Sequence, residues 1–143
     1  MFFLGQIIFS KQSIAASMSF GPNLLVTGAT TSFTSSNDGP PIIDIDIAGG
    51  AYVAWIDHRN SQTEVFFSKL DPLSSQFTAN TPLTGIANEK SFPQIEEDNG
   101  QIYIAWSEAR VINNVVSRGI FFTKSTDGGQ SFSEEIFIDS DDS

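Results

Sequence analysis

The chain has 143 residues, a length that points to one ordinary domain; 40% hydrophobic content with 13 Phe is enough for a core and argues against disorder. Its net charge of −10, from 17 acidic and 7 basic residues, argues against a nucleic-acid surface and against adhesion to anionic membrane. Without Cys there is no disulfide framework or thiolate metal site, and one His leaves no His-rich centre.

The N-terminal run Met1–Phe9 is apolar, but Gln6, Ser10 and Lys11 interrupt it and no basic residue precedes it, so it reads poorly as a signal peptide. No apolar run reaches the ~18 residues of a membrane span. Ile8-Phe9-Ser10-Lys11 reads as a strand, followed by a turn, Phe20, and a further strand near Leu24. The Ser/Thr/Gly-rich stretch 28–40 reads as a connection. Ile43, Ile45 and Ile47 then alternate with Asp44 and Asp46, the period-2 signature of a two-faced strand. Gly49-Gly50 turns the chain, and 51–56 forms a second strand rich in aromatic and β-branched residues. A polar turn at 57–61, a third strand at 64–69, a turn at 71–76 and a short fourth strand near 82–84 complete the unit.

The next unit repeats the plan, with strands near 94–97, 101–107, 118–124 and 134–139. Tyr52-Val53-Ala54-Trp55 returns as Tyr103-Ile104-Ala105-Trp106, 51 positions on; Asp57 meets Glu108 and Arg59 meets Arg110. Phe66-Phe67-Ser68-Lys69 returns as Phe121-Phe122-Thr123-Lys124, 55 positions on, so four residues are inserted within Val111–Ser117. Pro41-Ile42-Ile43 resembles Pro93-Gln94-Ile95 with a one-residue slip. The fold expected is all-β, built from four-stranded antiparallel sheets of ~50 residues, the signature of propeller blades. The division expected is residues 1–27 as the second half of a blade, 28–40 as a connection, and 41–85 and 86–143 as two blades.

After the third strand of the last unit comes Ser125-Thr126-Asp127-Gly128-Gly129-Gln130-Ser131-Phe132. Ser and Asp side chains suit backbone N–H groups in a hairpin, and Gly supplies positive φ. The pattern Ser125, Asp127, Gly129, Phe132 resembles the Asp box, or BNR repeat, of sialidase-like β-propellers. The corresponding turns after Lys69 and Lys11 keep only Phe77 and Phe20. The resemblance implies that this box is structural. It also implies that a ligand face lies at the opposite end of the blades, where Asp57, His58, Arg59, Glu108 and Arg110 fall.

Sialidases resemble one another in an arginine cluster, a Tyr/Glu pair and an Asp acid. Tyr52 and Tyr103 are repeat-related, and of the three Arg, Arg59 and Arg110 are too, so no catalytic residue is assigned. Asp57/Arg59 and Glu108/Arg110 suit a sugar acid, or an exposed turn-stabilising ion pair worth about 0–1 kcal/mol. His58, with Ala109 as counterpart, reads as a solvated turn residue. Trp55 and Trp106 read as inter-sheet core, and the acidic 139–143 as a solvated tail without a metal.

Two and a half blades do not close a ring of about 4–8. The chain therefore reads as a fragment needing further blades in cis, or as a subunit needing copies in trans, or as a compact degenerate β-domain. The functional expectation is a non-catalytic surface for a carbohydrate or protein ligand, with no cofactor. The alternatives are a segment of an exo-acting glycoside hydrolase with its catalytic residues elsewhere, and a structural repeat of a large surface protein. An extracellular or cell-surface location follows from the resemblance alone.

Overall fold

The computed structural model describes residues 24, 26, 40–59, 62–71, 73–85, 88–112 and 114–138, with Ile112 described in its backbone only. Most of the two N-terminal segments expected at 1–27 and 28–40, and the acidic tail at 139–143, lie outside them. The described residues are mostly antiparallel strands: β1 (Ile42–Ile45), β2 (Ala51–Asp57), β3 (Glu64–Asp71), β4 (Gln76–Phe77), β5 (Thr81–Pro82), β6 (Lys90–Asp98), β7 (Gln101–Ile112), β8 (Val115–Ser125) and β9 (Ile136–Phe137). No helix among them is long and apolar enough to cross a membrane. The all-β expectation holds.

The strands form two open sheets in chain order. The first runs β1-β2-β3, with β4 and β5 sharing the outer edge of β3; the second runs β6-β7-β8-β9. The single fourth strand expected near 82–84 is thus two short pieces, with the pairing register slipping by one residue between Leu70↔Phe77 and Phe67↔Thr81. The offset of 55 reappears in two pairs of hydrogen bonds. Ser68 Oγ donates to Thr78 O at 2.8 Å and Thr123 Oγ1 to Ser133 O at 2.7 Å. Leu83 N–H reaches Val65 O at 2.8 Å, and Ile138 N–H reaches Ile120 O at 2.9 Å.

The irregularities have places too. The one-residue slip falls in the first turn of each sheet: five residues separate the paired Ile45 and Ala51, four separate Glu97 and Ile102. Gly49 (φ 88°) and Gly100 (φ 82°) take the left-handed position there. The four-residue insertion does not form a loop. It extends the ladder of β7 and β8 out to Ile112↔Val115, where the first sheet stops at Asp57↔Glu64. The result is a projecting hairpin with Val111, Val115 and Val116 exposed.

Strand alternation explains how the sheets meet. Ala54, Ile56, Val65 and Phe67 on one face of the first sheet pack against Ile95, Ile102, Ile104, Trp106 and Phe121 of the second. Each fully buried side chain of this size contributes about 1.5–3 kcal/mol. The opposite face of the first sheet carries Val53, Trp55 and Phe66, with Val26 and Phe77 against it. Trp106 is therefore seam core, whereas Trp55 is buried on the far side of its own sheet. Indole and Phe rings stack in both, at 5.8 Å for Trp55–Phe66 and 6.2 Å for Trp106–Phe121.

Candidate functional site

The antiparallel order sorts the turns onto two ends. At one end lie the β2–β3 turn, the β7–β8 hairpin and the segment leading into β6. Their proximity is direct: Lys90, opening β6, donates its Nζ to Thr63 O of the β2–β3 turn at 3.1 Å. At the other end lie the β1–β2 and β6–β7 turns and the Ser125–Phe132 loop, whose Gly128 N–H reaches Gly100 O at 3.2 Å.

Asp57, His58 and Arg59 share the first end. Asp57 ends β2 on the face of Val53 and Trp55, so alternation carries its carboxylate inward, and it is fully buried. It accepts Arg59 N–H at 2.8 Å, Arg59 Nε and Nη2 at 2.9 and 2.6 Å, and Trp55 Nε1 at 3.3 Å. The Arg59 guanidinium lies over the Phe66 ring, 4.2 Å from its centre. His58 Nδ1 sits 3.1 Å from Thr63 Oγ1, closing the base of the turn.

Glu108 and Arg110 repeat the arrangement with one more methylene. Glu108 is fully buried and accepts Arg110 Nε at 2.7 Å and Trp106 Nε1 at 2.9 Å, while Arg110 lies 3.8 Å over Phe121. The longer carboxylate also reaches Asn88 Nδ2 at 2.9 Å and comes within 3.9 Å of the buried Lys90 Nζ. Arg110 Nη2 pairs further with Glu135. These are not the exposed ion pairs that the turns suggested. Each carboxylate continues the inward row of its strand, Trp55–Asp57 and Trp106–Glu108, and is held in a shell of fixed donors.

That shell sets their protonation. Burial pushes both carboxyls up, but the hydrogen bonds and charge of Arg59 with Trp55, and of Arg110 with Trp106, Asn88 and Lys90, hold both below the usual carboxylate range. Carboxylates so held stay ionised and make poor proton donors to a leaving group. The structure places the two predicted pairs on separate sheets, Asp57/Arg59 on the first and Glu108/Arg110 on the second, each acid bonded to its own arginine. Lys90 is the residue that the sequence did not single out. It faces Glu108 across β6 and β7, a neighbour visible only once the register is known. Among the described residues, no group of three or more His, Asp or Glu is placed to hold a metal ion.

The Ser125–Phe132 loop stands at the far end and is organised by two side chains. Ser125 Oγ accepts Gly129 N–H at 2.8 Å and donates to Asp127 Oδ1 at 2.7 Å. Asp127 accepts Gln130 N–H at 3.0 Å, Ser131 N–H at 2.9 Å and Ser131 Oγ at 2.5 Å, and the Ser131 bonds hold its carboxyl well below the usual range. The loop also leaves its own sheet. Lys69 Nζ donates to Gly128 O at 2.6 Å, and Phe132 meets Phe67 edge-on at 5.1 Å. Ser125→Ala, which strands the Gly129 N–H beneath a buried position, is expected to cost about 1–3 kcal/mol in urea unfolding. An unchanged midpoint would show that water replaces the hydroxyl.

Comparison of the chain with family models, with curated proteins and with solved structures returns no match.

Proposed function

We propose that the chain is a non-catalytic scaffold of the sialidase-like Asp-box kind, presenting a recognition surface for a protein or glycan at the end formed by the β2–β3 turn and the β7–β8 hairpin. One observation carries the reading. Every predicted charged candidate at that end, from Asp57 and Arg59 to Glu108 and Arg110, is engaged in hydrogen bonds or ion pairs within the chain. A glycoside hydrolase needs one carboxyl that gives up a proton and a second oxygen nucleophile or base across the bond. A carboxylate-binding arginine needs an open fork. What this end offers instead is the projecting hairpin with three exposed valines, a surface suited to apolar contact. A secreted or surface location accompanies this reading.

The purified chain is expected to leave fluorogenic aryl glycosides, a sialoside among them, unhydrolysed over the buffer rate. Turnover that disappears in Glu108→Gln or Asp57→Asn would replace the scaffold reading with an enzymatic one.

A further inference from the structure

The two sheets present unequal outer faces. On the first, Val53, Trp55 and Phe66 are buried, with Val26 and Phe77 against them. The outer face of the second stands open. There Ala105, Ile120 and Phe122 take the repeat positions of Ala54, Val65 and Phe67, which the seam buries. Ile120 is nevertheless 40% exposed, and Ile136 and Ile138 beside it are 55% and 58% exposed. A shallow recess of about 230 Å³ opens in this face, lined by Gln94, Ile95, Glu96, Tyr103, Ala105 and Phe122.

Register orders the open face into rows across the strands. Glu96, Tyr103 and Lys124 form one row, and Gln94, Ala105, Phe122 and Ile136 the next. Ser107 and Ile120 form a third, with Ile138 N–H bonded to Ile120 O. Two features make this face complementary to itself. In the second and third rows β7 carries the small Ala105 and Ser107, and β8 the large Phe122 and Ile120. In the first row the exposed Glu96 and Lys124 stand on opposite sides of Tyr103, so the face holds both signs of charge. A two-fold axis parallel to the strands and midway between β7 and β8 exchanges those strands without changing row. It sets Phe122 of each copy over Ala105 of the other, and Ile120 over Ser107. Lys124 then lies over the other copy's Tyr103 ring and beside its Glu96.

We infer that the chain forms a two-fold dimer through the outer face of its second sheet, the occupant of that face being the same face of a second copy. With the centre of the first sheet's outer face covered, both copies use one kind of surface, so the contact is isologous and closes at two. The dimer goes beyond the recognition surface proposed above and does not depend on it.

Sedimentation velocity of the full chain over a wide concentration range tests it, with Glu96→Lys and Lys124→Glu as single variants. Both positions are exposed, so the circular dichroism of each variant is expected to match the parent. The expected result has three parts. The parent passes from monomer to dimer and no further. Each charge variant alone dimerises at least about tenfold more weakly, because two like-charge contacts replace two attractive ones. An equimolar mixture of the two variants dimerises as the parent does, because each copy then meets its opposite at both contacts. Ile120→Ser, which leaves the charges in place, is expected to weaken the dimer through the apolar rows. A parent that stays monomeric, or that grows past a dimer, overturns the inference. So does a single charge variant or an Ile120→Ser protein that dimerises as tightly as the parent, and so does a mixture no tighter than its components.

Discussion

Glu108→Ala is expected to lower the unfolding free energy by about 3–5 kcal/mol, the cost of breaking a buried pair from one side. The side chains of Glu108 and Lys90 are both fully buried. Removing the carboxylate takes the facing negative charge from the buried Lys90, whose Nζ also donates to the Thr63 and Asn88 carbonyls, and takes the acceptor from Trp106 Nε1 and Asn88 Nδ2. Asp57→Ala is the informative contrast. Asp57 is equally buried, but its partner Arg59 is 19% exposed at the side chain and can turn toward water, so the loss is expected to be smaller. Replacing both Glu108 and Lys90 by leucine should recover much of the Glu108→Ala loss, because an apolar pair removes the stranded charge together with its partner. Urea denaturation of the four proteins measures this; a Glu108→Ala cost no greater than that of Asp57→Ala would sink the account.

The same cluster predicts a pH dependence. Burial alone would raise the Glu108 carboxyl, yet the bonds from Arg110, Trp106 and Asn88, with the charge of Lys90, bring it below its ordinary 4.5. A carboxyl depressed in the folded state contributes stability that is complete above the unfolded value and is lost as pH falls through the folded one. The stability gap between the parent and Glu108→Gln should therefore be full above about pH 4.5 and shrink below it. Lys90 acts at the other extreme. Burial, opposed by Glu108, brings its ammonium below its ordinary 10.5, so the unfolded chain binds more protons in that window and stability rises with pH as it approaches 10.5.

Local pattern and pairing register carry different information here. The offsets of 51 and 55 were readable because strands that pack in the same way keep the same side chains, and Trp55/Trp106 and Phe66/Phe121 do so. The burial of Asp57 and Glu108 was also readable in principle. Val53–Trp55–Asp57 and Ile104–Trp106–Glu108 are unbroken period-2 rows, and extending the row by one step places the acid inside. Their charge and the polar residues after them suggest a turn instead. What no local pattern carries is Lys90 beside Glu108, or the docking of the Ser125–Phe132 loop on Phe67 and Lys69. Those neighbours lie 18 to 65 positions away and meet only through sheet register and sheet packing.

Gly129 is the position where that difference has the largest effect. Gly129→Val is expected to cost about 2–5 kcal/mol, from a β-branched residue forced to positive φ and from overpacking of the seam. Its φ is +83°, and a Cβ there would lie 2.7 Å from the Phe67 ring and 3.0 Å from Ile102 Cδ1. Gly128→Ala separates the two causes. Its φ is +68°, but its nearest neighbour would be Lys69 Nζ at 3.8 Å, so only the backbone term of about 1–2 kcal/mol remains. The seam term is tested by measuring Gly129→Ala in the parent and in a Phe67→Ala background, where the ring that the new methyl meets is gone. If the cost of Gly129→Ala is the same in both backgrounds, the glycine serves its own turn alone. If it falls to that of Gly128→Ala, the second glycine of the loop is dictated by a phenylalanine 62 positions earlier on the neighbouring sheet, and the Ser125–Phe132 turn acts as the clamp between repeats as well as the closure of a hairpin.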